Sequence, residues 1–245
     1  MRYLVISDLH SNWEALEAVL ESARGQYDRI ACCGDLAGYG PDPNPVIDWA
    51  RGNLDVVVRG NHDRACGGLE NLEWFNPVAR AATIWTMARL SQENFNYLRQ
   101  LTPGPLKVDG FQLIHGSPLD EDEYVLTGTD ARNVFEYLDM NVSFFGHTHL
   151  QCGYARARGT FQMMAGLEGQ DEMWHRLDPD GIYLINTGSV GQPRDGDPRA
   201  AYALFDSETL ELLQRRVRYD YQTTQKKIEA AGLPDILGSR LAIGR

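Results

Sequence analysis

Five short motifs carry most of the side chains able to do chemistry: Ser7-Asp8-Leu9-His10, Gly34-Asp35, Gly60-Asn61-His62-Asp63, His115 directly after Leu113-Ile114, and Gly146-His147-Thr148-His149. Carboxylates, imidazoles and an amide oxygen form the mixed nitrogen and oxygen donor set of a divalent metal site, suited to Mn, Fe or Zn rather than to Ca or a Cys-rich structural zinc. Packed together without a cation, such groups would be desolvated with like charges close. Metal ions resolve that conflict by taking the carboxylates, neutral imidazoles and amide oxygen as ligands. Each motif alone is weak: a histidine after a strand is usually an ordinary loop residue, G-N-H-D can be an Asx-capped turn, and G-H-T-H can open a helix. Together they are specific, since four of the six histidines occupy these positions and a fifth, His62, adjoins one.

The elements that must position these residues follow from the apolar runs. Leu4–Ile6, Ile30–Cys33, Val56–Val58 (followed first by Arg59), Leu113-Ile114 and Val142–Phe145 each lead into a motif and read as buried strands. Asn12 is the expected N-cap of a helix with Leu16, Val19 and Leu20 on one face, and Pro45 opens a second helix to about Arg51. This gives β-α-β-α-β with parallel, right-handed crossovers. Ligand crevices in such sheets lie at the carboxyl ends of the strands, so Asp8, His10, Asp35, Asn61, His115, His147 and His149 should converge at one end of a sheet. Gly34, Gly60 and Gly146 are expected to let the backbone turn sharply there.

Residues 77–101 read as one or two helices, with Trp85, Phe95 and Tyr97 as packing residues. Between Tyr154 and Tyr183, Arg158-Gly159 and Asp178-Pro-Asp-Gly181 punctuate hairpins. Residues 200–205 and 210–217 alternate like antiparallel strands, and a short helix over 221–231 closes the chain. One domain spanning 1–245 fits best, with the strands and helix after about residue 200 completing it.

The chain of 245 residues can bury a core without staples, and its longest apolar runs are too short to cross a bilayer. Its start reads as a first strand rather than a signal peptide, so a cytoplasmic protein is expected. Cys32, Cys33, Cys66 and Cys152 form no C-x-x-C pair. Cys152 lies close to His149, but a small buried thiol is its commoner role. A net charge of −11 stays acidic even with two divalent cations and offers no basic stripe for duplex nucleic acid. Asp120–Glu123 and Arg215-Arg216 read as solvated faces. A small phosphorylated substrate is the expected partner, and association of identical copies is compatible with the sequence.

The ordered set D-L-H, G-D-L, G-N-H-D, I-H-G and G-H-T-H resembles the calcineurin-like metallophosphoesterase superfamily over residues 1 to about 200. The tract Asn186-Thr-Gly-Ser-Val-Gly-Gln-Pro-Arg194 is similar to its small prokaryotic phosphodiesterase-like branch. The resemblance implies an α/β fold, a four-layer sandwich of two mixed β-sheets flanked by helices. It assigns Asp8, His10 and His149 to one metal and Asn61, His115 and His147 to a second, with Asp35 bridging. Two divalent ions are expected, manganese the favoured pair. They would activate a bridging water for in-line attack on phosphorus, with His62 protonating the leaving oxygen. The alternative role for His62 is to orient a neighbour, and Asp63 is expected to hold the loop.

One tract departs from the relatives. Protein Ser/Thr phosphatases of the superfamily carry G-D-x-x-D-R-G, whereas here Gly38 replaces the acid and Tyr39 the arginine. A dianionic monoester gains most from a bidentate guanidinium, so small phosphodiesters or nucleotides are the expected substrates. Tyr39, Asn61 and Arg194, and less favourably Arg64, are the substrate-binding candidates. Tyr39, Trp74, Phe75 and Trp174 are candidates for an aromatic stacking wall. The competing functions are a diadenosine-polyphosphate hydrolase, a protein phosphatase-like enzyme and a non-catalytic protein-binding scaffold. A scaffold could lose ligands freely, yet all seven ligand positions and His62 are filled.

Overall fold

The computed structural model describes the backbone of residues 1–245 and every side chain except that of Trp74, so the Trp74 candidate lies outside the described residues. The chain runs β1 (Arg2–Ile6), α1 (Trp13–Ala23), β2 (Arg29–Cys32), α2 (Pro43–Asn53), β3 (Val56–Val57), α3 (Asn61–Cys66), α4 (Pro77–Met87) and α5 (Gln92–Gln100). It continues with β4 (Leu106–Val108), β5 (Phe111–Leu113), α6 (Gly128–Phe135), β6 (Val142–Phe145), β7 (Gln151–Ala157), β8 (Thr160–Met163), β9 (Glu172–Arg176), β10 (Ile182–Thr187), β11 (Ala200–Asp206), β12 (Glu211–Val217), α7 (Tyr221–Ala230) and α8 (Asp235–Leu241).

Two mixed six-stranded sheets result, ordered β3-β2-β1-β11-β12-β9 and β4-β5-β6-β10-β7-β8. The β1, β2 and β3 strands pair in parallel, as the crossover pattern requires, and β5 and β10 flank β6 in parallel. Side-chain alternation sorts three packing layers. Tyr3, Val5, Cys33, Phe111, Phe144 and Phe205 fill the space between the sheets. Leu4, Ile6 and Cys32 face outward onto Leu16, Val19, Val46 and Ile47 of α1 and α2. On the far face, Ile114, Phe145, Tyr154 and Leu184 meet Ala131, Val134 and Phe135 of α6. This is the expected four-layer sandwich. Among the described residues, no helix is long and apolar enough to cross a membrane.

Several local expectations change. The second helix starts at Pro43 rather than Pro45, since proline is tolerated in a first turn whose N–H groups lack helical partners. The Arg158-Gly159 turn does join a hairpin, β7 to β8. The Asp178–Gly181 turn does not: β9 pairs with β12 in one sheet and β10 with β6 and β7 in the other, so this turn passes between sheets. The chain does not close with α7, because α8 follows and packs Leu237 and Leu241 with Ile228 and Leu233. The acidic segment is a solvated face, as Asp120, Asp122 and Glu123 are exposed, except at Glu121, which is only 10% exposed and pairs with Arg59 and Arg64. Arg216 is likewise buried against Asp195 and Asp197.

Candidate metal centre

The expected convergence occurs, but at the junction of two sheets. Asp8, Asp35 and Asn61 follow β1, β2 and β3, while His115, His147 and His149 follow β5 and β6 of the other sheet. Asp8, His10, Asp35 and His149 form one buried group that could hold a cation, and Asp35, His115 and His147 form a second. The Asp35 carboxylate belongs to both. Its Oδ1 accepts the His62 backbone N–H at 2.8 Å. Its Oδ2 has no hydrogen-bond partner among the described residues and lies 3.6 Å from His10 Nε2 and 3.5 Å from His115 Nε2. Asn61 completes the second group, its Oδ1 being 3.1 Å from His115 Nε2.

The proton positions on the rings follow from their backbone partners. A carbonyl only accepts, so each ring nitrogen facing one carries the proton. His10 Nδ1 donates to Ala37 O at 2.9 Å, His115 Nδ1 to Cys33 O at 2.7 Å and His149 Nδ1 to Gln192 O. His147 reverses the pattern, with Nε2 donating to Asp122 O at 3.1 Å. The opposite nitrogen of each neutral ring therefore presents a lone pair. His10 Nε2 and His149 Nε2 then meet at 3.0 Å without a proton between them, whereas His115, which the Asp35 carboxylate keeps protonated in the absence of metal, directs Nε2–H at the Asn61 oxygen at 3.1 Å. Acceptors facing acceptors in a buried site repel one another, and a cation between them removes the conflict. The donor set fits divalent metal ions.

The electrostatics tell the same story. Burial lowers His10 and His149 well below the usual imidazole range and His147 to about 3. Burial, followed by the repulsion of Asp35, pushes Asp8 up to about 7. His115 resists its own burial and rises to about 10 because the Asp35 carboxylate adjoins it. In the absence of metal, one proton on His115 partly replaces the missing positive charge.

Backbone geometry at the cluster is strained. Asp8, His10, Asp35, His147 and His149 all sit at φ between 44° and 64°. Aspartate and histidine tolerate this left-handed region better than most residues, and such conformations concentrate at functional sites. Gly34 takes φ +96° and turns the strand end as expected. Gly60 serves differently: its φ is −95°, and an added Cβ would lie 2.1 Å from Asp35 Oδ1, so its role is close approach. Asp63 holds the two loops, its carboxylate accepting the N–H groups of Asp35, Ala37 and Gly60.

His62 lies at the rim, with its ring 5.0 Å from that of His10 and 4.4 Å from that of Tyr39. Its Nδ1 has no hydrogen-bond partner among the described residues, and a Cβ on Gly38 would approach it to 2.6 Å. No carboxylate could be added at position 38 without displacing the ring. Burial lowers His62 to about 4, with Arg194 adding to the effect. Arg194 lies over the Tyr39 ring at 5.6 Å and bonds Gln192, its buried Nε having no partner among the described residues. Arg64 is engaged by Glu70, Glu121 and Asp122. Cys152 is absent from both metal-ligating groups.

Of the aromatic candidates, Tyr39 and Phe75 line a recess of about 240 Å³ beside Asn61, His62 and His147. Trp174 does not: it is 60% exposed on β9 and lines a different depression with Leu204 and Phe205. Tyr124, which no motif signalled, completes the wall, its ring 4.0 Å from that of His147 and tilted to it by 33°.

The sequence model of the calcineurin-like phosphoesterase superfamily domain matches residues 1–210. An uncharacterized protein of Methanocaldococcus jannaschii is 36% identical, with 98% of this chain and 97% of that protein covered. The crystal structure of a metallophosphoesterase from Sphaerobacter thermophilus is 39% identical, covers 100% of this chain and 99% of its own, and superimposes with a TM-score of 0.88. A hypothetical protein from Pyrococcus horikoshii shares the fold at a TM-score of 0.80 and 19% identity, with 100% and 98% of the chains covered.

Proposed function

The chain belongs to the calcineurin-like phosphoesterase superfamily, and from that premise we propose that it is a two-metal hydrolase of small phosphodiesters or nucleotides, acting in the cytoplasm as one catalytic unit over residues 1–245. The observation that carries this reading is Asp35 Oδ2, unpartnered and nearly equidistant from a histidine of each group. Asp8, His10 and His149 would hold one divalent ion and Asn61, His115 and His147 the other, with manganese our preferred pair. When bound, the ions supply an activated water and charge compensation on the phosphate oxygens.

The protein's own groups do the rest. Backbone carbonyls fix the four imidazoles in the tautomers that leave ligating lone pairs. Asn61 and Arg194 border the cluster and would orient the phosphate, with Tyr39 beside them. His62 is the acid assigned to the leaving oxygen. An incoming phosphodiester anion supplies the counter-charge that favours its protonated form. A diester is preferred over a monoester because Gly38 supplies no acid to His62 and Arg64 is already engaged by carboxylates, leaving one guanidinium near the cluster.

The test is a hydrolysis panel at saturating Mn²⁺ with matched aryl diesters and monoesters, cyclic nucleotides, dinucleoside polyphosphates and phosphopeptides. The diester should show the higher kcat/KM. A preference for the monoester, or efficient dephosphorylation of phosphopeptides, would overturn the diester reading.

A further inference from the structure

The recess beside His62 has a composition that bears on what leaves the phosphorus. Three aromatic rings wall it: Tyr39 and Phe75 against His62, with ring centroids at 4.4 and 5.7 Å, and Tyr124 packed at a tilt on His147. Tyr124 is 49% exposed although one face covers His147. A planar group can therefore stack on it, an interaction available to any base or aryl ring. The recess is small. Its volume of about 240 Å³ suits one ring system with its attached sugar and not a second nucleotide.

Its charge is equally informative. Glu70 and Asp122 line it, opposed by the single guanidinium of Arg64, which pairs with both at 2.5 and 2.7 Å. With its one guanidinium engaged by both carboxylates, the lining beyond the metal-ligating residues offers no free cation to the further phosphates of a charged leaving group. Asn76 spends its side-chain oxygen on the Ala79 N–H at 2.9 Å, so it offers a ligand only N–H donors.

Building on the assignment of His62 as the acid, we infer that this recess binds the leaving group and selects an uncharged planar one, a nucleoside or aryl alcohol rather than a nucleotide, with Tyr124 as a specificity-determining residue. In the step itself the water oxygen bonds to phosphorus and the phosphorus–leaving-oxygen bond breaks. Its electron pair stays on the leaving oxygen, which takes the proton from His62, while the proton given up by the attacking water passes to solvent, from which His62 is reprotonated. The alcohol that departs is the one seated between Tyr124 and Phe75. On this reading a diadenosine polyphosphate is the poorer substrate, because its departing group would bring several negative charges to Glu70 and Asp122.

The inference is tested with two methyl phosphodiesters, one of the adenosine 5′-hydroxyl and one of the methyl riboside 5′-hydroxyl, whose leaving oxygens have matched acidity. With Mn²⁺-loaded enzyme, products should be adenosine and methyl phosphate, and kcat/KM should exceed that of the riboside by about 10-fold or more. That ratio should fall toward one in Tyr124→Leu and shrink in Phe75→Leu, the second variant guarding against a disturbed His147. Diadenosine tetraphosphate should be the poorer substrate. Release of AMP and methanol, a wild-type ratio near one, a ratio unchanged in both variants, or faster cleavage of diadenosine tetraphosphate would each overturn the inference. If no diester is hydrolysed, the diester reading fails separately. Saturation-transfer NMR with adenosine alone then decides the recess: contact in wild type and its loss in Tyr124→Leu support it, and no contact in wild type overturns it.

Discussion

Asp35 Oδ1 is committed to the His62 amide, so only Oδ2 is available to cations, and it faces both histidine groups at once. Asp35→Asn keeps the shape and the Oδ1 contact but replaces the shared anionic oxygen by an N–H₂ donor. Elemental analysis of metal-loaded mutant should show both positions depleted, from two ions to below about one per chain. Retention of two ions at wild-type affinity would contradict the shared-ligand assignment. His62 is separable from the ligands. His62→Ala should retain both metals while kcat falls by about 10²–10⁴-fold, and by less for nitrophenolate leaving groups that need little protonation. An equal loss across leaving groups of very different acidity would point to an orienting role. At this scale the site was legible in the sequence, because metal ligation demands particular donor atoms and the seven candidates can be read as letters. Tyr124 was not, since a lone tyrosine after an acidic run carries no donor signature, and only the folded loop packs it against His147.

The elements determine how stiffly those letters are held. Residues 117–124 carry the carbonyl of Asp122 that receives the His147 N–H, and they are tied to the rest of the molecule through charges. Arg64 on α3 grips Glu121 and Asp122, and Arg59 grips Glu121 at 3.0 Å. The helix that begins with Asn61 and His62 thereby also fixes the orientation of a histidine from the other sheet. Arg64→Met should loosen that loop. Calorimetric titration of metal-stripped protein with Mn²⁺ should show the weaker of the two binding events reduced by about 10–100-fold, as for other groups that orient a ligand from outside. Arg64→Lys should recover part of the loss, and unchanged affinities in Arg64→Met would remove the network from any role at the centre. Within Asp120–Glu123, the inward turn of Glu121 is hidden from the sequence because its partners, Arg59 and Arg64, lie some sixty residues away in the chain. The same distance problem hid the inter-sheet passage at Asp178–Gly181, where turn chemistry is local but strand pairing is not. The short α8 has only Leu237, Gly238 and Leu241 buried, too few positions to establish a helical period.

Across the whole molecule, the centre is a seam. One sheet contributes Asp8, His10, Asp35 and Asn61 and the other His115, His147 and His149, while the apolar layer between the sheets stops below them. The buried, mutually repelling acceptors at the top of that seam oppose closure of the sheets, and bound cations reverse the sign of the effect. Metal binding should therefore be coupled to global stability as well as to activity. An ion that binds only the folded chain stabilises it by about 4 kcal/mol at roughly a thousand times its dissociation constant. For a chain of this size each kcal/mol moves Tm by roughly 2–4 °C, so one tightly bound ion should raise Tm on the order of 8–16 °C. Scanning calorimetry of chelator-treated protein, with and without added Mn²⁺, measures this directly. The shift should be smaller in Asp35→Asn, where the shared oxygen is gone, and nearly unchanged in His62→Ala, which removes no ligand. Amide exchange should slow on metal addition at the ends of β1 and β2 and also of β5 and β6, because the ions would join the two sheets. A Tm indifferent to chelation, or protection confined to one sheet, would mean that the seven residues gather there without acting as a cross-link.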